Sequence, residues 1–221
     1  MLKYFHFIDN NMIITEREAE EFLQRMGFPV IKRVFCKNAE ECIKAARKIG
    51  YPVAMKIASP TILHKSDVGG VALDLVNPEM VKKNFLRMRR IKGFEGVLIE
   101  DYTVGEFLLL GLKRDATFGH TVAVGSGGIY TEVLQDVSFR VCPIGMNEAQ
   151  DMLEELKIYP ILKGMRGGHD VRKKVKETIV KLSNLAKEYP MITELDINPL
   201  IMHDKGITVA DARIVIDDGL H

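Results

Sequence analysis

The arrangement of apolar residues changes near residues 100–105, and this change constrains the fold more than any other feature of the sequence. Before it, segments with helical periodicity alternate with short apolar runs that are typical of strands. After it, strands come mainly in pairs joined by short polar turns, with two helices between them. The sequence therefore predicts an α+β protein of two closely packed subdomains, residues 1–102 and 103–221, with a cleft between them.

Helix-start signals divide the first half. Thr15 followed by Glu18 forms a capping-box pattern, Asn38 precedes a second helical segment, and Pro78 lies at the start of a third that runs to about Ile91. Glycines at positions 27 and 50 end the first two helices. The strands predicted in this half are 30–35, 51–59, 70–77 and 96–102.

Hairpin patterns dominate the second half. Residues 106–115 and 120–128 predict a pair of strands, and 133–144 predict a strand with a loop. Helices are predicted around 147–157 and 170–188. The chain then reads MITELDINPLIM, a turn at HDKG, and ITVADARIVI, which predict two strands in a hairpin.

Charge and composition exclude several classes of protein. A net charge of +1 over 221 residues provides no basic field that would gather nucleic acid or an acidic membrane. No apolar stretch approaches the ~20 residues that cross a bilayer, and the N-terminus is too short and polar for a signal peptide. The three scattered cysteines indicate neither disulfides nor zinc. We therefore expect a cytoplasmic protein with no nucleic-acid partner and no membrane association.

The segment ELDINPL, residues 194–200, carries several oxygen donors. On a strand Glu194, Asp196 and Asn198 share one face, and carboxylate and amide oxygens suit Mg²⁺. The solvated side of an edge hairpin would show the same alternation. Asp211 in the neighbouring VADAR segment favours the metal site, because an acid among apolar residues needs a partner when it is buried.

Two further segments leave their role open. Lys56, in the apolar strand AMKIAS, either reaches solvent from a sheet edge or points into a cleft and pairs with a phosphate. The glycine-rich GSGGIYTEV, residues 125–133, matches neither GxxxxGK[ST] nor GxGxxG. Its backbone amides are suited to reach a phosphate, and a simple hairpin connection fits equally well.

The loop SPTILHKSDVGGV, residues 59–71, combines a histidine with a lysine and two adjacent glycines. Gly69 and Gly70 let the backbone approach a ligand closely, and Lys65 supplies a positive charge. His64 offers a nitrogen lone pair, because an unperturbed imidazole has a pKa of about 6.5 and is mostly neutral near pH 7. Attack on phosphorus needs such a lone pair. A solvated surface histidine is the simpler interpretation, and it is our interpretation of the other five histidines.

These motifs occur in an order that resembles the ATP-grasp module of the NDP-forming acyl-CoA synthetases. The order is AMKI, HKSDVGGV, IEDY…GEF, GSGG…TEV and ELDINPL…VADAR. The sequence is most similar to the β subunit of the archaeal, split ADP-forming acetyl-CoA synthetases, over nearly the whole chain. The resemblance implies an ATP-grasp fold that holds ATP between two α+β subdomains. It also implies a reversible reaction in which acyl-CoA, ADP and phosphate become the acid, CoA and ATP, with a phosphoryl group carried on histidine.

The resemblance also assigns residues. His64 would take the phosphoryl group and pass it to ADP. Asp196, Asn198 and Asp211 would hold Mg²⁺ on the nucleotide phosphates, whereas Glu194 falls outside the family's metal pair. The resemblance implies that Lys56 contacts the phosphate tail and adenine region, and that Gly127 and Gly128 lie near the phosphates. The strand end Ile99, Glu100, Asp101 and Tyr102 would surround adenine, largely through backbone. Glu106 would lie near the ribose or the metal.

A partner is implied as well. The β subunit of succinyl-CoA synthetase is also similar, but its first loop lacks the histidine and it continues into a CoA-ligase domain. This chain ends soon after VADARIVID, without room for such a domain. We therefore expect it to require a separate CoA-binding α subunit, in an α₂β₂ assembly. The basic residues 82–92 and 171–176 are predicted to be solvated helix faces, and the first set is also a candidate docking surface.

Two other functions compete with this one. A self-contained ATP-grasp carboxylate–amine ligase makes an acyl-phosphate directly and needs no histidine carrier, so His64 argues against it. A non-catalytic nucleotide-binding regulatory subunit would not need the complete set of Asp196, Asn198 and Asp211.

Overall fold

The structure is a computed structural model that describes residues 6–8, 11–59, 61–62, 65–127, 136–163 and 170–217. Contacts within the chain divide it into two compact units. One comprises residues 31–103, here called the small unit, and the other comprises residues 1–30 together with 104–221, here called the large unit.

The small unit is a four-stranded antiparallel sheet with two helices on one face. Its strands are β3 (Arg33–Cys36), β4 (Val53–Ala58), β5 (Val71–Leu75) and β6 (Gly96–Asp101), in the order β3-β6-β4-β5. Its helices are α2 (Ala39–Ile49) and α3 (Pro78–Met88). The core between sheet and helices is apolar and contains Met55, Ile99 and Phe85, each at most 2% exposed.

Capping side chains fix where these helices begin. The Asn38 and Asn77 side chains accept hydrogen bonds from the backbone amides of Glu41 and Met80, each at 2.9 Å. These bonds satisfy amides that have no partner within the helix. The predicted helix starts at Asn38 and Pro78 are therefore confirmed, whereas α3 ends three residues earlier than predicted.

Strand β5 forms one edge of the small sheet and is irregular. Val53 pairs with Leu75 and Met55 with Ala72, so two steps along β4 correspond to three along β5. Asp74 occupies the extra position with a φ of 55°, in the left-handed region. This is a β-bulge, and the neighbouring Leu73 is 55% exposed.

The large unit is built on an eight-stranded antiparallel sheet. The strands are β1 (His6–Ile8), β2 (Asn11–Ile14), β7 (Glu106–Asp115), β8 (Gly119–Ser126), β9 (Val137–Val141), β10 (Ile192–His203), β11 (Gly206–Val209) and β12 (Ala212–Asp217). Their order is β1-β2-β12-β10-β7-β8-β9, with β11 paired to β10. The predicted hairpin of β7 and β8 is confirmed.

The helices of the large unit are α1 (Glu16–Arg25), α4 (Met146–Glu154), α5 (Tyr159–Leu162) and α6 (Arg172–Glu188). They share one apolar core with the sheet, in which Leu23, Leu110 and Ile179 are fully buried. The carboxylate of Glu18 accepts a hydrogen bond from the Thr15 amide at 3.3 Å, so the predicted start of α1 is confirmed. Within the described residues, no helix is both long and apolar enough to span a bilayer.

Two features differ from the sequence-based expectation. Residues 11–30, predicted to lie in the first subdomain, belong to the large unit, because β2 pairs with β12 through Ile14 and Ile214. The predicted strand ITVADARIVI is two strands, β11 and β12, separated at Ala210 and Asp211. Each pairs with a different half of β10.

Candidate active site

Strand β10 presents an acidic face in the large unit. Leu195 and Ile197 are fully buried in the core, whereas Glu194, Asp196 and Asn198 between and beside them are half-buried. Side chains alternate across a strand, so the three polar residues share the face opposite the core, as predicted from their spacing. This face of β10 therefore carries a row of oxygen donors.

The neighbouring strands leave space beside Asp196. Its cross-strand partners are Gly111 on β7 and Arg213 on β12. A side chain added at Gly111 would meet its first atoms at 3.7 Å and 3.9 Å, which is ordinary packing distance. A glycine next to a half-buried carboxylate keeps that part of the sheet surface open to a ligand.

Asp196 lies in an unfavourable electrostatic environment. Burial raises the pKa of its carboxyl, the adjacent Glu194 carboxylate raises the pKa further, and the Arg213 guanidinium opposes both effects. Arg213 is 3.9 Å from Glu194, measured between Nη2 and Oε1, and both side chains are more than 40% exposed, so its influence is screened. Ionising Asp196 therefore costs more than ionising an exposed carboxyl group, and a cation bound nearby would offset that cost.

Asn198 and Asp211 meet where both of their strands are irregular. The pairing of β10 with β7 shifts register between Ile197 and Leu200, at the Asn198–Pro199 step. The break between β11 and β12 lies directly opposite. There the Asn198 amide donates to the Asp211 carbonyl at 3.2 Å, and the Ala210 amide donates to the Pro199 carbonyl at 3.1 Å. The backbone thus brings the half-buried Asp211 beside Asn198, which is itself two residues from Asp196 on β10.

The donors gathered here fit a divalent cation. Two carboxylates and an amide oxygen are hard ligands of the kind that Mg²⁺ prefers. Burial first, and then the Glu194 carboxylate, raise the pKa of Asp196, so its negative charge is poorly compensated within the site. A bound cation would reverse that penalty, so the residues present are chemically compatible with a magnesium site.

In the small unit, Lys56 and Glu100 form a buried ion pair. Lys56 Nζ lies 3.0 Å from Glu100 Oε2, and the two side chains are 12% and 1% exposed. Register places both on the face of the sheet opposite α2 and α3, because Lys56 pairs with Leu98 and Glu100 with Ala54. The alternative in which Lys56 reaches solvent from a sheet edge is therefore wrong.

The end of β6 is tied into the small unit by its side chains and by its backbone amides. Ile99 is fully buried in the core under the helices. The amides of Asp101 and Tyr102 donate to the carbonyls of Lys32 at 3.0 Å and Pro52 at 3.4 Å. Their role around adenine, like that of the exposed Glu106 at the start of β7, remains a prediction.

The histidine loop is described only at its two ends. His64 lies outside the described residues, as do Pro60 and Leu63. After it, residues 65–70 form a closed turn in which the Gly70 amide donates to the Lys65 carbonyl at 2.6 Å. The turn is joined to β4, since the Ile57 amide donates to the Gly70 carbonyl at 2.7 Å.

The two ends of the glycine-rich loop are joined by buried hydrogen bonds between Ser126 and Asp136. Ser126 Oγ donates to the Asp136 carboxylate at 2.7 Å, and the Ser126 amide donates to the Asp136 carbonyl at 2.9 Å. The same carboxylate accepts from the Lys157 amide at 2.8 Å and the Ile158 amide at 3.3 Å. Residues 128–135, including Gly128, lie outside the described residues.

Gly127, the last described residue before that loop, is held by its backbone amide. Its amide donates to the Phe107 carbonyl at 2.9 Å, and an added Cβ would lie 2.6 Å from the Leu108 carbonyl carbon. A side chain therefore does not fit at this position.

Sequence reasoning missed three residues, two in the large unit and one in the small unit, that contact or face the candidate segments. Asp136 closes the base of the glycine loop, Arg213 faces Asp196, and Arg87 contacts the turn after His64 through the Gly69 carbonyl. The alternation in VADAR would have placed Arg213 on the face of Asp211. Asp136 and Arg87 had no comparable signal, since their partners are distant in the sequence.

Comparison with known proteins identifies the family. A model of the ATP-grasp domain matches residues 8–216. This chain belongs to the ATP-grasp family. The predicted α+β ATP-grasp fold is thereby confirmed.

Relatives of this ATP-grasp chain carry a consistent activity. The β subunit of ADP-forming acetate–CoA ligase I from Pyrococcus furiosus is 40% identical over 215 residues, which cover 93% of each chain. The ADP-forming 4-hydroxybutyrate–CoA ligase of Nitrosopumilus maritimus is 41% identical over 213 residues, and the match spans 91% of this chain but 30% of that protein. The predicted similarity to β subunits of ADP-forming acetyl-CoA synthetases is confirmed.

Solved structures agree with the sequence relatives. Acetyl-coenzyme A synthetase 1 of Ca. Korarchaeum cryptofilum, solved with coenzyme A and Ca-AMPCP, superposes with a TM-score of 0.86 at 38% identity, over 92% of this chain and 93% of that one. A second structure of that protein contains Mg-AMPPCP, with its phosphohistidine segment pointing towards the nucleotide-binding site, and gives a TM-score of 0.81 at 37% identity over 92% of both chains.

Proposed function

We propose that this chain is the nucleotide-binding β subunit of an ADP-forming acyl-CoA synthetase, with acetyl-CoA as the expected acyl-CoA. The reaction converts acyl-CoA, ADP and phosphate into the acid, CoA and ATP, and it is reversible. The observation that carries the proposal is that Asn198 and Asp211 meet at the matched irregularities of β10 and the β11–β12 break, with Asp196 two residues away on the same face of β10. The relatives' names support the same activity.

These three residues would hold Mg²⁺ on the nucleotide phosphates. When bound, the ion neutralises phosphate charge and orients the phosphoryl group for in-line transfer. Asp196 supplies a carboxylate, and a bound cation would lower the pKa that burial and Glu194 raise. Asn198 adds a neutral oxygen, and Asp211 adds a second carboxylate from the facing segment.

His64 would carry the phosphoryl group. A nitrogen of its imidazole forms a bond to the γ-phosphorus of ATP as the bond from that phosphorus to the β-phosphate oxygen breaks, and ADP leaves. The reverse step returns the phosphoryl group to ADP. His64 directly precedes the closed turn of residues 65–70, and the Korarchaeum relative has a phosphohistidine segment that points towards its nucleotide site.

The remaining contacts follow the residues named from the sequence. Lys56, held by Glu100 at 3.0 Å, would place its ammonium group at the phosphate tail. Asp101 and Tyr102 would contact adenine through backbone, and Glu106 would lie near the ribose or the metal. Gly127 and Gly128 would bring backbone amides to the phosphates.

The decisive experiment is transfer of label from γ-labelled ATP with Mg²⁺ to the purified protein, with and without a CoA-binding subunit. Acid-labile, base-stable label on the wild-type protein is expected, and it should be lost in His64→Ala. His203→Gln is the matched control, because His203 is engaged with Thr208 in the β10–β11 hairpin at 2.9 Å. That variant should keep the label.

Two results would contradict the proposal. Label retained in His64→Ala would exclude His64 as the carrier. Turnover by His64→Ala without any partner would favour a carboxylate–amine ligase, which forms an acyl-phosphate directly.

We also propose that a CoA-binding α subunit completes the enzyme, in an α₂β₂ assembly. The P. furiosus relative is named as a β subunit, and several longer relatives contain this module as about 30% of their length. Co-expression with a candidate CoA-binding chain and measurement of the mass of the complex test this. Full acyl-CoA turnover by a clean monomer would overturn it.

A further inference from the structure

The turn after His64 is closed by its own backbone. The Gly70 amide donates to the Lys65 carbonyl at 2.6 Å, and the Gly69 amide donates to the Ser66 carbonyl at 3.0 Å. The Gly70 carbonyl accepts the Ile57 amide on β4. After these bonds the Gly69 carbonyl points away from the turn, towards helix α3.

Arg87, an exposed residue in the last turn of α3, binds that carbonyl. Its Nη1 donates to the Gly69 oxygen at 2.5 Å, and its Nη2 donates to Asn84 Oδ1 at 3.2 Å. The Asn84 amide nitrogen in turn donates to the Met80 carbonyl at 2.9 Å. The guanidinium is therefore held by the helix on one side while it holds the turn on the other.

The backbone at Gly69 and Gly70 leaves little room for a side chain. Gly69 has a φ of 69°, which strains other residues, and a Cβ there would lie 2.9 Å from Arg87 Nη1. A Cβ at Gly70 would collide with the Ile57 side chain and lie 2.9 Å from the Lys65 carbonyl oxygen. A side chain at Gly70 would therefore displace the turn from β4, whereas at Gly69 the positive φ disfavours a side chain and an added Cβ would push the Arg87 guanidinium aside.

We propose that Arg87 is a positioning residue for phosphoryl transfer through His64. By fixing the Gly69 carbonyl to α3, it fixes the turn of residues 65–70, which directly follows His64 in the sequence. Arg87 does not touch the reacting atoms in this role. The inference rests on the proposed function, since it assigns Arg87 to the step that His64 performs.

The catalytic test is Arg87→Met in a single-turnover measurement of label transfer from γ-labelled ATP, run in the presence of the CoA-binding subunit. A displacement of about 1 Å at a reacting group lowers a rate by about a hundredfold, so we expect transfer at saturating ATP to slow by about 10- to 100-fold. The dissociation constant for ATP should stay within about twofold, because the change affects positioning rather than nucleotide binding. Arg87→Lys, which keeps one donor for the carbonyl, should recover part of the rate.

Two further variants make the test specific. Arg47→Met removes an exposed arginine from the last turn of α2 in the same unit and should leave the transfer rate unchanged. Gly69→Ala should slow transfer as Arg87→Met does, because it displaces the same contact from the other side. If Arg87 only stabilised the fold, Arg87→Met would lower the midpoint temperature of thermal unfolding. In that case Arg87→Lys would not restore the rate of label transfer at saturating ATP.

A second readout does not depend on His64. Hydrogen exchange at the Gly69 and Gly70 amides should be faster in Arg87→Met than in Arg47→Met. Unchanged exchange, or an unchanged transfer rate in a wild-type protein that does take label, overturns the role of Arg87 and leaves the proposed function intact. A wild-type protein that takes no label even with its partner overturns the proposed function and the positioning role together.

Discussion

Two aspartates of the large unit, Asp136 and Asp196, differ in the hydrogen-bond donors and charges around their carboxylates. Asp136 is 4% exposed, and its carboxylate accepts three hydrogen bonds, from Ser126 Oγ and from the amides of Lys157 and Ile158. Asp196 is half-buried, faces Glu194, and accepts no hydrogen bond from the described part of the chain.

Under the proposed function, the difference separates a structural acid from a metal ligand. A buried carboxylate with several donors repays its desolvation and stabilises the fold. A carboxylate that is desolvated beside another acid costs stability, and such arrangements concentrate where a ligand supplies the missing charge. Asp136 holds the base of the glycine loop closed, whereas Asp196 has the environment that the proposed metal site requires.

Asp196→Asn should produce the largest change in activity. We expect Mg²⁺-dependent nucleotide turnover to fall by about a hundredfold or more, since metal ligation contributes several kcal/mol and each 1.4 kcal/mol is tenfold in rate. The reconstituted enzyme should be assayed at saturating Mg²⁺ and ADP. Asp211→Asn should behave in the same way, and turnover that survives both changes would remove the proposed metal site.

Ligand-induced stabilisation should separate the two acids next. At about 100 times its dissociation constant, Mg²⁺-ADP should stabilise the wild-type protein by about 2.7 kcal/mol. Thermal unfolding with and without the ligand measures this. The gain should vanish in Asp196→Asn and persist in Asp136→Asn, and loss of the gain in both variants would contradict the division of roles.

Asp136→Ala should produce the largest loss of stability. It leaves the hydroxyl of Ser126 and two amides without their acceptor, which should cost about 2–3 kcal/mol. Ser126→Ala, which removes one donor and leaves the carboxylate two others, should cost about 1 kcal/mol. Urea unfolding measures both, and equal costs would mean that the carboxylate is not the centre of this contact.

The smallest expected effect is a dependence of stability on pH without metal. Folding raises the pKa of Asp196, so the folded state retains its proton over a range in which the unfolded chain has lost it. Stability from this group is therefore present at acidic pH and is lost as the pH rises through the raised pKa. Asp196→Asn should remove that loss and unfold at a higher temperature than the wild type at pH 7, with the gap closing near pH 4.

Glu194→Gln provides the matched variant for that measurement. It removes the carboxylate that adds to the pKa of Asp196, so the loss of stability should be smaller and occur at a lower pH. A pH profile identical to that of the wild type would show that Glu194 does not act on Asp196.

Local patterns predicted most of the elements, because caps and periodicity are local. Asn38, Pro78 and the β7–β8 hairpin lay where their spacing indicated. The break at Asp211 was missed, since VADAR alternates like a continuous strand and the irregularity arises from the register of β10 across from it. The association of residues 11–30 with the large unit depends on pairing with β12, about 200 residues away, for which no local signal exists.

The candidate site shows the same limit. Spacing alone placed Glu194, Asp196 and Asn198 on one face of β10, and burial along the strand agrees. It did not indicate that Lys56 would be paired with Glu100, because that contact joins neighbouring strands diagonally. Asp136 gave no signal either, since two of its donors are backbone amides more than twenty residues further along the chain.

The bulge in β5 has a consequence for how this protein behaves at high concentration. An unpaired strand at the edge of a sheet invites strands from other molecules, and aggregation begins there. The extra residue at Asp74 bends this edge and places a charge on it, so an incoming strand finds no continuous ladder of partners. The bulge and the charge therefore disfavour an intermolecular sheet that starts at the exposed Leu73 beside them.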